Sequence, residues 1–185
     1  MSIAKRIAEA IDKMAQNDAE GALLPVSAAI DATATKYFGE IGRKSYKNFL
    51  HENFGLITKV GLGPAILNLH LEYDHPDIQR NADGTCTIQD ILYHVVRCGL
   101  AHRAELPSNL RFTDEYQFTT QGNVLILPAS LVYGMVVAVV MCPVNTDQSV
   151  AEQYGINVRG FQIQLNKLWG KKEEVLNLFA AMEAF

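Results

Sequence analysis

Thr87-Ile88-Gln89-Asp90-Ile91-Leu92-Tyr93-His94-Val95-Val96-Arg97-Cys98-Gly99-Leu100-Ala101-His102 is the stretch on which the reading of this chain turns. Thr87-Ile88-Gln89-Asp90 resembles a capping box with an acid in the first turn, so a helix opens at about Ile88. The apolar run carries it to about Ala104, and Pro107 prevents much continuation. Arg97 and His102 therefore emerge near the C-terminal end of a buried helix. A guanidinium keeps its charge in a protein, whereas an imidazole changes charge near neutral pH. Phosphodiester cleavage needs both properties: a cation for the phosphate and a proton carrier for the attacking and leaving oxygens. On a regular helix the five-residue step turns about 140°, so the two do not share a narrow face. They converge if the helix loosens near Gly99, or if each meets a second copy across a dimer axis. The plainer reading is that an arginine and a histidine in a last turn complement the helix macrodipole.

Working outward, Ser2 caps a first helix with Ile3, Ile7, Ile11 and Met14 on one face. Pro25, at a favoured first-turn position, opens a second helix running to Phe38, whose Ala28, Ala29, Ala32 and Ala34 allow close packing. A third covers about Lys44 to Phe54, after which Gly55, Gly61 and Gly63 interrupt the chain. Pro64 to Tyr73 reads as a short helix. Downstream of Pro107, Leu110 to Thr119 and Val124 to Leu127 flank Gln121-Gly122-Asn123 as a small hairpin. Leu131 to Met141 reads as a buried helix, because the apolar run from Leu131 to Cys142, twelve residues ended by Pro143, is too short to span a bilayer. Its Tyr133, Val136, Val137 and Val140 seal a core or a dimer seam. Arg159 to Leu168 alternates like a strand at Phe161, Ile163 and Leu165, and Lys171 to Phe185 closes as an amphipathic helix. The expected architecture is mainly α with a minor hairpin.

Composition agrees with an ordinary globular chain. At 185 residues, 49% hydrophobic and 19% charged, it suits one domain with a substantial core. The net charge of −4 provides no global attraction for nucleic acid, so such binding needs a local basic patch. Cys86, Cys98 and Cys142 form no CxxC pair and fit a reduced, cytoplasmic setting. Glu9, Asp12 and Lys13 interrupt any signal-peptide block.

Val95-Val96-Arg97-Cys98-Gly99-Leu100-Ala101-His102-Arg103 at a helix end resembles the signature of the HEPN superfamily, mainly over residues 87–105. The resemblance implies an all-helical, HEPN-like bundle over 1–185 with a hairpin insertion at 108–127, acting as a homodimer. It implies metal-independent cleavage of RNA at the subunit interface, without a cofactor. Arg97 would stabilise phosphate charge and His102 would move protons as the ribose 2′-hydroxyl attacks; Asn109 and Arg111, which follow the motif closely in sequence, are the candidates to contact substrate phosphates. Two departures favour the alternative, a non-catalytic HEPN-like nucleotide-binding or protein-interaction module. Cys98 stands where a small polar residue is usual, and Asp90 and Glu105 would repel a phosphate backbone.

Other constellations carry blander readings. His94, Cys98 and His102 recur every four residues on one face, as zinc ligands could, but a packed histidine in an apolar run is commoner, and no metal is expected. His70, Asp74 and His75 read as a helix end and solvated loop. Gly61-Leu62-Gly63-Pro64 lacks the pattern of a phosphate loop. Trp169 among Lys167, Lys171 and Lys172 reads as a packing anchor beside solvated lysines. Ser45-Tyr46-Lys47 has no companion that would make it a base.

Overall fold

A computed structural model describes residues 2–103, 105–158 and 160–181. It contains seven strands in three small sheets among its helices, so the chain is mixed α/β. The mainly α, HEPN-like bundle with one hairpin is thereby overturned. The sequence reading expected one hairpin and a strand-like run at 159–168 where there are three short sheets, because most strands of three to five residues carry little periodic signal.

The apolar core draws on residues from Ile3 to Phe179. Helix α1 (Ile3–Ala15) buries Ile3, Ile7 and Ile11, with Ser2 accepting from the Lys5 amide at its cap. Helix α2 (Ala19–Phe38) starts six residues before Pro25, because Asp18 caps it by accepting the Gly21 amide at 2.8 Å. Pro25 sits buried inside it, so the proline is not a helix start. Helix α3 (Arg43–Leu62) runs through Gly55 and Gly61 to end at Gly63. Those two glycines do not break it; they are contact points. A Cβ on Gly61 would stand 3.0 Å from the Ser130 carbonyl oxygen, and one on Gly55 would stand 2.9 Å from Leu67.

Residues 64–73 are not helical. After a loop, β1 (His70–Glu72) pairs antiparallel with β2 (Thr85–Thr87), in register Leu71 opposite Cys86. Thr87 then caps the next helix by accepting the Asp90 amide. That helix is composite: an α turn, α4 (Ile88–Asp90), a π segment (Ile91–Arg97), and α5 (Cys98–Arg103). The expected C-terminal limit, Ala104, lies outside the described residues.

Strand β3 (Leu110–Thr113) lies parallel to β5 (Val124–Pro128), and β4 (Thr119–Gln121) pairs antiparallel with β5, giving the order β3-β5-β4. The hairpin is thus β4-β5, turning at Gly122, whose φ of 62° suits glycine. The polar bend at Asp114 to Gln117 separates β3 from it. Helix α6 (Leu131–Met141) is apolar on all sides and almost wholly buried, against α3 and α2. Gly134 makes the α3–α6 approach possible: an added Cβ would fall 2.1 Å from the Ile57 carbonyl oxygen. Val136, Val137 and Val140 are fully buried within this chain, so that stripe seals its own core. Strands β6 (Gly155–Val158) and β7 (Phe161–Gln164) form the third sheet, and α7 (Lys172–Ala181) packs on α3. The expected strand residue Arg159 and the expected helical residues 182–185 lie outside the described residues. No helix among the described residues is long and apolar enough to cross a membrane.

Candidate functional site

The π segment turns a line of polar side chains toward α2 and the start of α3. Its widened turn is visible in the Cys98 amide donating to the Tyr93 carbonyl, five residues back. Arg97 leaves this turn to donate to Asp31 of α2 at 2.8 Å, both side chains 27% exposed. The carboxylate holds the guanidinium even more firmly in its charged form. The Arg97 guanidinium also lies 5.6 Å from the Tyr93 ring centroid, a cation–π distance. Tyr93 meets Tyr46 and His94 edge-on, at 5.3 and 5.0 Å between centroids. Tyr46 is buried with its hydroxyl against Ser27, and burial raises its pKa far above the usual phenol range.

One turn earlier, Asp90 accepts from Lys47 and Thr87, with Arg43 at 3.8 Å. Burial alone would raise its pKa, but these hydrogen bonds and the two cations outweigh burial and hold the carboxyl below its usual range. His94 lies beside this group. Burial and then Arg43 push its imidazole pKa down, and its Nε2 is buried with no hydrogen-bond partner among the described residues. These contacts account for Ser45-Tyr46-Lys47 as structure: Ser45 donates to Gly42, Tyr46 meets Ser27, and Lys47 neutralises Asp90.

Among the described residues, Arg97 and His102 stand in different surroundings. The loosening falls on residues 91–97, upstream of Gly99, and regular helix resumes from Cys98. Arg97 is turned inward to Asp31, while His102 is exposed. Asn109 and Arg111 part company as well. Asn109 accepts from the buried Tyr73 hydroxyl at 2.8 Å and borders a cleft with Glu72, Asp74 and Arg80. Arg111, exposed on β3, borders another with Asp18, Glu20 and Asp114. Neither cleft is lined by Arg97 or His102. Among the described residues, no group of three or more His, Cys, Asp or Glu side chains is placed to hold a metal ion.

A different cleft has the form of a ligand site. It encloses about 460 Å³ between α3, the 63–68 loop and α7. Leu56, Met141 and Phe179 form a buried apolar floor, and Leu67 and Leu176 stand exposed at the mouth. The loop wall is held to α3 by the Ile66 amide donating to Thr58 Oγ1 at 2.7 Å, and by Leu67 lying over Gly55. The polar lining comprises His51, Glu52, Asn53, Lys59, Asn68 and Lys172. Asn53 is only 7% exposed. Its amide nitrogen donates to the Phe49 carbonyl at 2.8 Å.

A family model described as Rv1289 matches residues 2–185. The chain belongs to the Rv1289 family. No curated protein and no solved structure matches it.

Sequence reasoning missed His51, Asn53 and Lys172 as members of one site. The available signal was weak: Lys172, Leu176 and Phe179 recur at helical spacing, as do Glu52, Leu56 and Lys59, but nothing in either run says that the two face each other. Asp31 was missed for the same reason, standing 66 residues from Arg97.

Proposed function

We propose that the protein is a small-molecule-binding module whose site is the cleft between α3 and α7. The observation that carries this reading is a mostly apolar floor of Leu56, Met141 and Phe179 beneath a short polar rim, at a volume within the usual range of ligand pockets. The Arg97–His102 pair has less to offer a ligand. Arg97 already donates to Asp31, so a phosphate would have to displace a 2.8 Å ion pair, and the chain carries net negative charge.

The test is titration with the fluorophore 1-anilinonaphthalene-8-sulfonate, an apolar anion that brightens in a dry pocket. The native protein is expected to give saturable fluorescence. Ala65→Trp, at an exposed position on the cleft lining, is expected to plug the mouth and abolish the signal while leaving the thermal melt in place. Equal titrations for both proteins, or none for either, would overturn the proposal.

A further inference from the structure

Helix α7 also borders a second, larger cleft of about 730 Å³, whose other walls are the β6–β7 hairpin and the turn at 152–153. We infer that this cleft binds a neutral oligosaccharide. The sequence sets its lining. Gln162-Ile163-Gln164-Leu165 alternates, so Ile163 and Leu165 enter the core while Gln162 and Gln164 face solvent. On β6, Ile156 and Val158 are buried and Asn157 is exposed. The register sets Asn157 opposite Gln162 and Gly155 opposite Gln164, so three carboxamides share one face of the hairpin. Asn157 is oriented by its Oδ1, which accepts the Gly160 amide at 2.9 Å. Gly155 leaves the place across from Gln164 without a side chain, because a Cβ there would stand 2.9 Å from the Ile163 carbonyl oxygen. Gln153 adds a fourth carboxamide from the turn.

A carboxamide offers donors and an acceptor on one rigid plane. Neighbouring sugar hydroxyls also donate and accept, so each can pair with a carboxamide in both directions. The charges of the lining do not favour an ion. Glu152 and Lys167 are one of each sign, and Glu152 already accepts from Asn166 at 3.1 Å. The apolar part is small: Leu168 is buried, and Leu178 of α7 stands 40% exposed. That surface suits the C–H face of a pyranose ring. A wholly apolar ligand would strip water from the carboxamides and return no hydrogen bond. The volume lies within the usual range of ligand sites.

Saturation-transfer NMR and titration with maltotriose, cellotriose and N,N′-diacetylchitobiose test the inference, with tetraethylene glycol dimethyl ether as a probe that accepts hydrogen bonds and donates none. At least one sugar is expected to bind and the ether is not. Gln162→Ala and Gln164→Ala lie at exposed positions, so their melts should match the native one. Each should weaken sugar binding about fivefold, the scale of one hydrogen bond, and the two together more than about tenfold. The two clefts share no lining residue, so Ala65→Trp should leave sugar binding unchanged whatever it does to the fluorophore. Failure of all three sugars to bind would overturn the inference, as would undiminished binding by the double variant. Equal binding of ether and sugar would overturn the need for hydroxyls, and loss of sugar binding in Ala65→Trp would move the sugar to the other cleft.

Discussion

Gly134→Ala is the substitution whose cost follows most directly from the geometry. In the middle of α6, alanine would ordinarily stabilise the helix by about 0.5–1 kcal/mol, because glycine loses more backbone entropy on folding. Here the new methyl would sit 2.1 Å from the Ile57 carbonyl oxygen and 2.8 Å from the Ile57 Cα, whereas ordinary contact begins at 3.4 Å. The obstruction is backbone, so no side-chain rotation relieves it. Helices α3 and α6 must separate by more than 1 Å along their line of contact. Overpacking of this kind costs about 1–3 kcal/mol, and the upper part of that range applies where backbone must move. Subtracting the propensity gain leaves a net loss of roughly 2 kcal/mol. For a chain of this length, 1 kcal/mol corresponds to about 2–4 °C, so the melting temperature should fall by about 4–8 °C. Calorimetry or a circular-dichroism melt measures it. Helix α3 also carries Asn53 and Leu56 and α6 ends in Met141, so the same separation should weaken binding in the cleft. A melting temperature equal to or above that of the native protein would refute the reasoning, because it would mean that α3 and α6 do not touch at Gly134.

Two further outcomes follow from the polar seam. The Asp31–Arg97 pair is partly exposed, so Asp31→Ala and Arg97→Ala should each cost no more than about 1 kcal/mol, with a coupling of about 0.5–1 kcal/mol in a double-mutant cycle read by urea unfolding; a coupling of zero would show that they do not interact in solution. Stability should also fall on acidification in two stages. His94 has a lowered pKa in the folded chain, so the unfolded state binds its proton first and stability declines as pH drops below about 6.5. Asp90 is likewise depressed, and its contribution, complete above the ordinary carboxylate pKa, is lost as pH falls through its folded value. Urea midpoints against pH should show both stages, with His94→Gln removing only the upper one; an unchanged upper stage in that variant would assign it to another group.

The helices were legible in the sequence wherever a cap met an apolar period. Ser2 before Ile3, Ile7 and Ile11 placed α1, Thr87 before Ile88 placed α4, and the unbroken run from Leu131 to Met141 placed a buried α6. Each of those signals is local, carried by residues within a few turns of one another. Glycine and proline misled for the opposite reason. Pro25 lies inside α2, and Gly55 and Gly61 lie inside α3, because their roles are set by what packs on them. The π segment was not visible at all, since an apolar run from Ile91 to Val96 has the same composition whether its turns hold four residues or five.

Charge type, cap positions and the identity of the buried helices follow from neighbours along the chain, which compete for the same backbone hydrogen bonds and the same face. Which carboxylate Arg97 meets, which glycine admits which carbonyl, and which two helices close a cleft around Asn53 depend on pairs separated by tens of residues. Such contacts are chosen by the packing of the whole core, where shape and close approach decide, and short-range pattern carries no record of them.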